Sequence, residues 1–368
     1  MAGRGLVEAI RPLLDRLPGP VRLRVGGGEG PTACLDPGQF ATVRALFEAA
    51  GVATPEAVGP GAPLAPMDRV VLDYLLDGLL AATSAGARPL WAASRHAMRD
   101  GGGARTYVRL GAAGARPVLF FGAPGLPAEL TSGWLAGLAA HCDVATVETR
   151  GLFGDMPGPA DLGPRAQIDD ARRLMAHLEW PVADIVGVCG GAALALMFAA
   201  EYPSACTTLA LWFGDYDLAA AAPKTEHQEN LKSLMEIVVE EPRAAGDVLA
   251  MLMSVLTRQA SPAIAPLILY PFATEELFTA YCRMNHAVMS IDCAGLAARI
   301  ALPSLVGYSA ADATAHPAGS AHVARLLGAA VERLDHVAHL DGVRGRSADV
   351  DRTLLFQAAA RAQAIRAA

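Results

Sequence analysis

The sequence predicts an α/β protein: a doubly wound, mostly parallel sheet with a helical cap insertion and a mainly helical N-terminal extension. Three observations predict it. From residue 104 onward, short apolar runs alternate with helical stretches, the strand–crossover–strand pattern of parallel sheets. Gly187-Val188-Cys189-Gly190-Gly191 joins an apolar strand end to an Ala/Leu/Met-rich helix without a breaker until Tyr202-Pro203. Strand signal then disappears over residues 218–298 and returns only near Leu302.

Residues 1–103 form the extension, with helices expected over Leu6–Leu17, Phe40–Ala50 and Met67–Ala85 and a short strand over Val21–Val25. A Pro/Gly-rich linker covers Val58–Pro66, and Asp100-Gly101-Gly102-Gly103 closes the segment as a turn. Its apolar residues need burial, so helices wrapped on the main domain are favoured over a separate interaction module. Gly26-Gly27-Gly28 lacks the strand–helix context of a dinucleotide loop and reads as a turn. The core is expected over 104–217 and 299–368, and a cap over 218–298. Thr106–Leu110 and Pro117–Phe121 are the first core strands, the second a continuous apolar run suited to burial on both faces. Helix Leu126–Ala140, strand Asp143–Glu148, helix Ile168–Leu178 and a strand ending at Asp184–Gly187 follow. Beyond the Gly-rich junction come strand Thr207–Phe213, the cap, strand Pro303–Gly307, helix Ser320–Leu327, strand Ala330–Leu334 and a last helix over Arg352–Ala368. An insertion between two sheet strands is expected to cover the strands' C-terminal ends, where ligands bind.

Composition narrows the function. Hydrophobic residues make up 53% and charged residues 18%, enough for a sizeable core. A formal net charge of -7 and the absence of a basic run argue against a nucleic-acid partner. Lysine occurs only at 224 and 232. Cysteines at 34, 142, 189, 206, 282 and 293 show no C-x-x-C pair and no disulfide-scaffold density, so a reducing cytoplasm is expected. No apolar run has membrane-spanning length and the N-terminus lacks a signal-peptide core, so no membrane association is expected. No His/Cys/Asp cluster has metal-ligand spacing, and no cofactor is expected.

Residues 187–191 read G-x-C-x-G, the nucleophile-elbow pattern with cysteine in place of serine. A strand that turns sharply into a helix strains its nucleophile, and side chains at Gly187 or Gly191 would strike neighbouring backbone. The helix start beneath Cys189 favours a thiolate and aims free N–H groups at a developing oxyanion.

Over residues 104–368 the chain resembles the α/β-hydrolase superfamily, whose triad order is nucleophile, acid, histidine. Phe121-Gly122-Ala123 resembles that family's His-Gly-x oxyanion loop, with Phe for His; by this resemblance the N–H groups of Ala123 and Gly190 form the oxyanion hole. Thr149-Arg150-Gly151 through Asp155 resembles its Arg-Gly loop. His336-Val337-Ala338-His339-Leu340-Asp341 resembles its terminal loop, in which the first histidine is catalytic, so His336 is expected to be the base and His339 a packing or rim residue. Asp312, after the penultimate strand, is expected to be the acid; Asp215 or Asp217 stands at the alternative position.

Cysteine in the elbow is shared by polyhydroxyalkanoate synthases, dienelactone hydrolases, and the thioesterases and aminoacyltransferases of nonribosomal peptide and polyketide assembly lines. Ala192 stands where the synthases carry a further Gly, and Glu148-Thr149-Arg150-Gly151 replaces their Trp-Gly-x-Pro stretch. Dienelactone hydrolases are shorter and lack a long cap. Length, extension and cap are most similar to the assembly-line group. A thioester handed to cysteine becomes another thioester, nearly isoenergetic and reversible, which suits transfer between thiols. The resemblance thus implies an acyl or aminoacyl transferase. Its substrate would ride on the phosphopantetheine arm of an acyl or peptidyl carrier protein, with a second thiol or an amine as acceptor. Hydrolysis of acyl thioesters or esters is the alternative, and a non-catalytic binding protein of the same fold a further one.

Overall fold

The computed structural model describes residues 4–26, 33–81, 94–100, 103–153 and 162–367. The expected turns at Gly27-Gly28 and Gly101-Gly102, the end of the helix expected to reach Ala85, and Asp155 of the Arg-Gly loop lie outside these residues. The chain divides into two compact units, Met1–Ser94 with Arg243–Thr279, and Arg95–Pro242 with Ala280–Ala368.

In the first unit, β1 (Arg22–Arg24) pairs in parallel with β2 (Glu56–Val58). Helix Pro37–Ala50 starts from a capping box in which Asp36 accepts from the Gln39 N–H and the Gln39 side chain accepts from the Asp36 N–H. Val43 and Phe47 on its inner face are buried, as are Leu23 and Leu35. Helix Pro66–Ala81 buries Val70, Val71 and Leu75 at helical spacing. Residues 243–279, from the middle of the insertion, group with this unit and not with the rest of the expected cap.

The second unit is built on one sheet. Its strands are β3 (Arg95–Asp100), β4 (Gly103–Leu110), β5 (Pro117–Phe121), β6 (Asp143–Val147), β7 (Ala183–Val188), β8 (Cys206–Trp212), β9 (Ser304–Ser309) and β10 (Ala330–Leu334). They lie in the order β10-β9-β8-β7-β5-β6-β4-β3. β3 runs antiparallel to β4 and β4 antiparallel to β6; every other neighbouring pair is parallel. The sheet therefore begins at Arg95, nine residues before the expected core boundary. Its edge strand, RHAMRD, is too polar to signal a strand, and charge on an edge discourages further pairing.

The central strand β7 (ADIVGV) is buried along its whole length. Helices cover the sheet through large aromatics: the Trp134 indole N–H donates to the Gly342 carbonyl, and that of Trp212 to Thr353 Oγ1, each at 2.8–2.9 Å. At the base of β7 the buried Asp184 carboxylate accepts from Thr207, Thr208 and Arg361 and pairs with Arg116 Nε. The C-terminal ends of β7, β8, β9 and β10 open onto the loops that carry the chemistry. Among the described residues no helix is long and apolar enough to cross a membrane.

Candidate active site

β7 delivers Cys189. The residue sits between the strand and helix Gly190–Glu201 with φ 54° and ψ −132°, a backbone conformation that side-chain-bearing residues avoid. The glycines around it are dictated by contact. A Cβ at Gly191 would lie 2.1 Å from the Gly122 carbonyl oxygen and 2.3 Å from that of Phe121, and one at Gly187 would meet the Ala195 Cβ at 2.6 Å. The elbow and the Phe121-Gly122-Ala123 loop are thus pressed backbone to backbone. Gly190 lies in the first turn of its helix, where N–H groups have no intrahelical acceptor.

β9 delivers Asp312, which is 6% exposed. Its Oδ1 accepts from the backbone N–H groups of Thr314 and Ala315 at 2.8 and 3.0 Å, which leaves Oδ2 to face the histidine. That histidine is His339. Its Nδ1 lies 2.8 Å from Asp312 Oδ2 and its Nε2 3.3 Å from Cys189 Sγ. The edge of the Phe213 ring meets the imidazole at 82°, which fixes the plane of the ring. Burial alone would lower the His339 pKa; the charges of a Cys189 thiolate and of Asp312, with the hydrogen bonds to both, lift it to about 10. The geometry holds the Cys189 sulfur beside one imidazole nitrogen and the Asp312 carboxylate beside the other.

The expected base, His336, is elsewhere. β10 ends at Leu334, and the chain needs the irregular stretch 335–338 before helix His339–Arg344 can begin. The first helical residue, not the histidine within the loop, is the one that points back to Cys189. His336 is exposed and lines an open cleft of about 470 Å³ with Ser132, Asp341 and Arg344. The alternative acids are also occupied otherwise. Asp215 hydrogen-bonds Gln228 through Oδ1, and burial raises its pKa against the opposing pull of Gln228 and His339. Asp217 pairs with Lys224 and Lys232; burial would raise its pKa, but the two lysines hold it below the ordinary value.

Several contributors carry no signal in the local sequence pattern. Gln228, in the first turn of helix Glu226–Glu240, accepts from the Thr225 and His316 N–H groups while donating to Asp215. Thr225 Oγ1 donates to the Thr314 carbonyl. Together they fasten the loop that holds Asp312. The Thr225-to-Gln228 capping box is legible as a helix start, but nothing near it in sequence names the loop it grips. Tyr281 and Met284 pack on Gly125, where a Cβ would meet the Tyr281 ring at 2.5 Å and Met284 Cε at 3.2 Å. The Arg-Gly loop is anchored by Arg150, which grips the buried Asp170 with two hydrogen bonds.

Of the other cysteines, Cys206, Cys282 and Cys293 are pushed up to about 12 by burial, and Cys142 is raised by burial despite Arg116. No disulfide links the six cysteines. Among the described residues no group of three or more His, Cys, Asp or Glu side chains is placed to hold a metal ion.

No family model matches the chain, and no curated protein matches its sequence. Solved structures match its fold. A hydrolase from Pseudomonas aeruginosa is 22% identical over 72% of this chain and 98% of its own, with a TM-score of 0.55. The enol-lactonase from Burkholderia xenovorans is 21% identical over 71% of this chain and 99% of its own, with a TM-score of 0.54. A haloalkane dehalogenase from Bradyrhizobium elkani is 18% identical over 73% of this chain and 99% of its own, with a TM-score of 0.58. At these identities the likeness is one of fold, and it gives this chain the α/β-hydrolase fold.

Proposed function

We propose that the protein is an enzyme of acyl-thioester chemistry that works through an S-acyl intermediate on Cys189. The observation that carries this reading is the unbroken hydrogen-bond chain Cys189–His339–Asp312. Its donor is an acyl or aminoacyl thioester presented on the phosphopantetheine arm of a carrier protein, and its acceptor a second thiol or an amine, as in natural-product assembly. The Cys189 thiolate attacks the thioester carbonyl carbon while His339 holds the proton. The oxyanion takes hydrogen bonds from the N–H groups of Ala123 and Gly190. Collapse breaks the carbon–sulfur bond to the donor, and His339 protonates the departing thiolate. The acceptor then gives its proton to His339 Nε2 and attacks the S-acyl group, and Cys189 leaves as thiolate. Asp312 holds the imidazole tautomer and stabilises imidazolium throughout. Cysteine suits this cycle because, with a thiol acceptor, both half-reactions exchange one thioester for another of similar energy; with an amine the second half-reaction runs downhill to an amide.

Hydrolysis with water as acceptor is the second reading, supported by the hydrolytic names of the structural neighbours. Intact-protein mass spectrometry with acyl- and aminoacyl-carrier thioesters separates the two. The transferase reading expects a mass increment on wild type that persists and moves to a second carrier, and none on Cys189→Ala. An increment that decays to free acid would establish hydrolysis. No increment from any donor, or one that survives in Cys189→Ala, would sink both.

A further inference from the structure

Helix Glu275–Val288 packs against the catalytic loops and carries a polar group that the triad does not use. Its stretch from Tyr281 onward lies against the catalytic loops: Tyr281 and Met284 touch Gly125, and Val288 Cγ1 is 3.9 Å from the position of a Cβ on Gly190. Asn285 lies between these contacts, one turn beyond Tyr281, and is 8% exposed. Its Nδ2 donates to the Tyr281 hydroxyl at 3.3 Å and approaches the thioether sulfurs of Met235 and Met289 at 3.6 and 3.9 Å. Thioether sulfur only accepts, so these neighbours fix which end of the amide is nitrogen. The carbonyl end, Oδ1, has no hydrogen-bond donor among the described residues. A carboxamide set among methionines would be replaced at little cost by leucine or methionine if packing were its only task. An acceptor left open, on the helix stretch that packs against the elbow and the oxyanion loop, suits a ligand that brings its own donor.

We infer that Asn285 selects the acyl group. Resting on the acyl-enzyme reading above, its Oδ1 accepts a hydrogen bond from the amino group of an aminoacyl thioester bound to Cys189, so that the cargo is an aminoacyl unit and not a plain alkanoyl chain. The methionines and Tyr281 around it supply the apolar wall for the rest of that unit.

The test compares alanyl and propionyl thioesters of N-acetylcysteamine, which share a leaving group and differ in the α-amino group alone. Rates of Cys189 acylation are read as mass gain on wild type, Asn285→Leu and Asn285→Asp, with iodoacetamide labelling of Cys189 reporting an intact site. The expected result is a wild-type preference for alanyl of ~10- to 100-fold. It should fall to near unity in Asn285→Leu and persist in Asn285→Asp, where a carboxylate presents an acceptor in the same place. An unchanged preference in Asn285→Leu, or an equal loss for both thioesters, overturns the inference and assigns the side chain to packing or to the leaving thiol. If wild type takes neither acyl group while iodoacetamide still labels Cys189, the acyl-enzyme reading has failed and this inference falls with it.

Discussion

At His339 the two ring nitrogens are divided between Asp312 on Nδ1 and Cys189 on Nε2, while His336 sits exposed three residues earlier with neither partner. His339→Ala should therefore slow acylation of Cys189 by ~10²–10⁴-fold, the usual worth of a positioned acid–base group. His336→Ala, a surface change, should stay within about twofold. Equal losses in the two variants would contradict the assignment of the base. Asp215 offers a second test at this scale. Its folded-state pKa lies above the ordinary 3.8 because burial disfavours the carboxylate. Such a group destabilises the fold at neutral pH, and the penalty fades as pH falls through its raised pKa toward the unfolded value. Asp215→Asn, which keeps an acceptor for Gln228, should raise the melting temperature at neutral pH, and the gain should shrink on acidification. Acylation should survive, whereas Asp312→Asn should lose it. Cys189 and Asp312 are legible in the sequence because they follow strand ends closely, Cys189 just after β7 and Asp312 in the short loop after β9. The histidine is not, because the number of loop residues spent before helix His339–Arg344 is set by how that helix packs, and no local pattern records it.

The elements around the site act as clamps. Gly191 is where the elbow helix and the oxyanion loop touch backbone to backbone, and neither a strand end nor a helix start can yield by an ångström. Gly191→Ala should cost about 1–3 kcal/mol of stability, as overpacking does. It should also depress acylation more than binding, because the displaced partner is the loop bearing the Ala123 N–H. A denaturant titration alongside acylation kinetics checks both, and a variant as stable and active as wild type would refute the clamp. The parallel strands were readable from their apolar runs, as PVLFF of β5 illustrates. The antiparallel edge strand β3 was not, since its alternating His96 and Met98 are outnumbered by charges. The grip of Gln228 on the His316 N–H joins residues 88 apart, a pairing made by topology and invisible in a window of sequence.

Across the whole molecule, ionic groups fasten the sheet from below while the chemistry occupies its upper rim. Asp184, Arg116 and Arg361 meet at the base of β7, and Arg109 pairs with Asp143 at the base of β6. Both carboxylates are almost wholly buried and multiply hydrogen-bonded, so removing either would strand charged arginines. That rigid base carries a strained residue at its top. The left-handed backbone of Cys189 stores about 1–3 kcal/mol, more than glycine's extra chain entropy of roughly 0.5–1 kcal/mol would forfeit. Cys189→Gly should consequently melt at a higher temperature than wild type while taking up no acyl group, a pair of results one calorimetric scan and one mass spectrum would decide. A lower melting temperature would show that the bond to His339 outweighs the strain. If the variant does melt higher, Cys189 stands at a backbone position where heat tolerance and usefulness pull in opposite directions, and a screen for thermal survival alone would favour its loss.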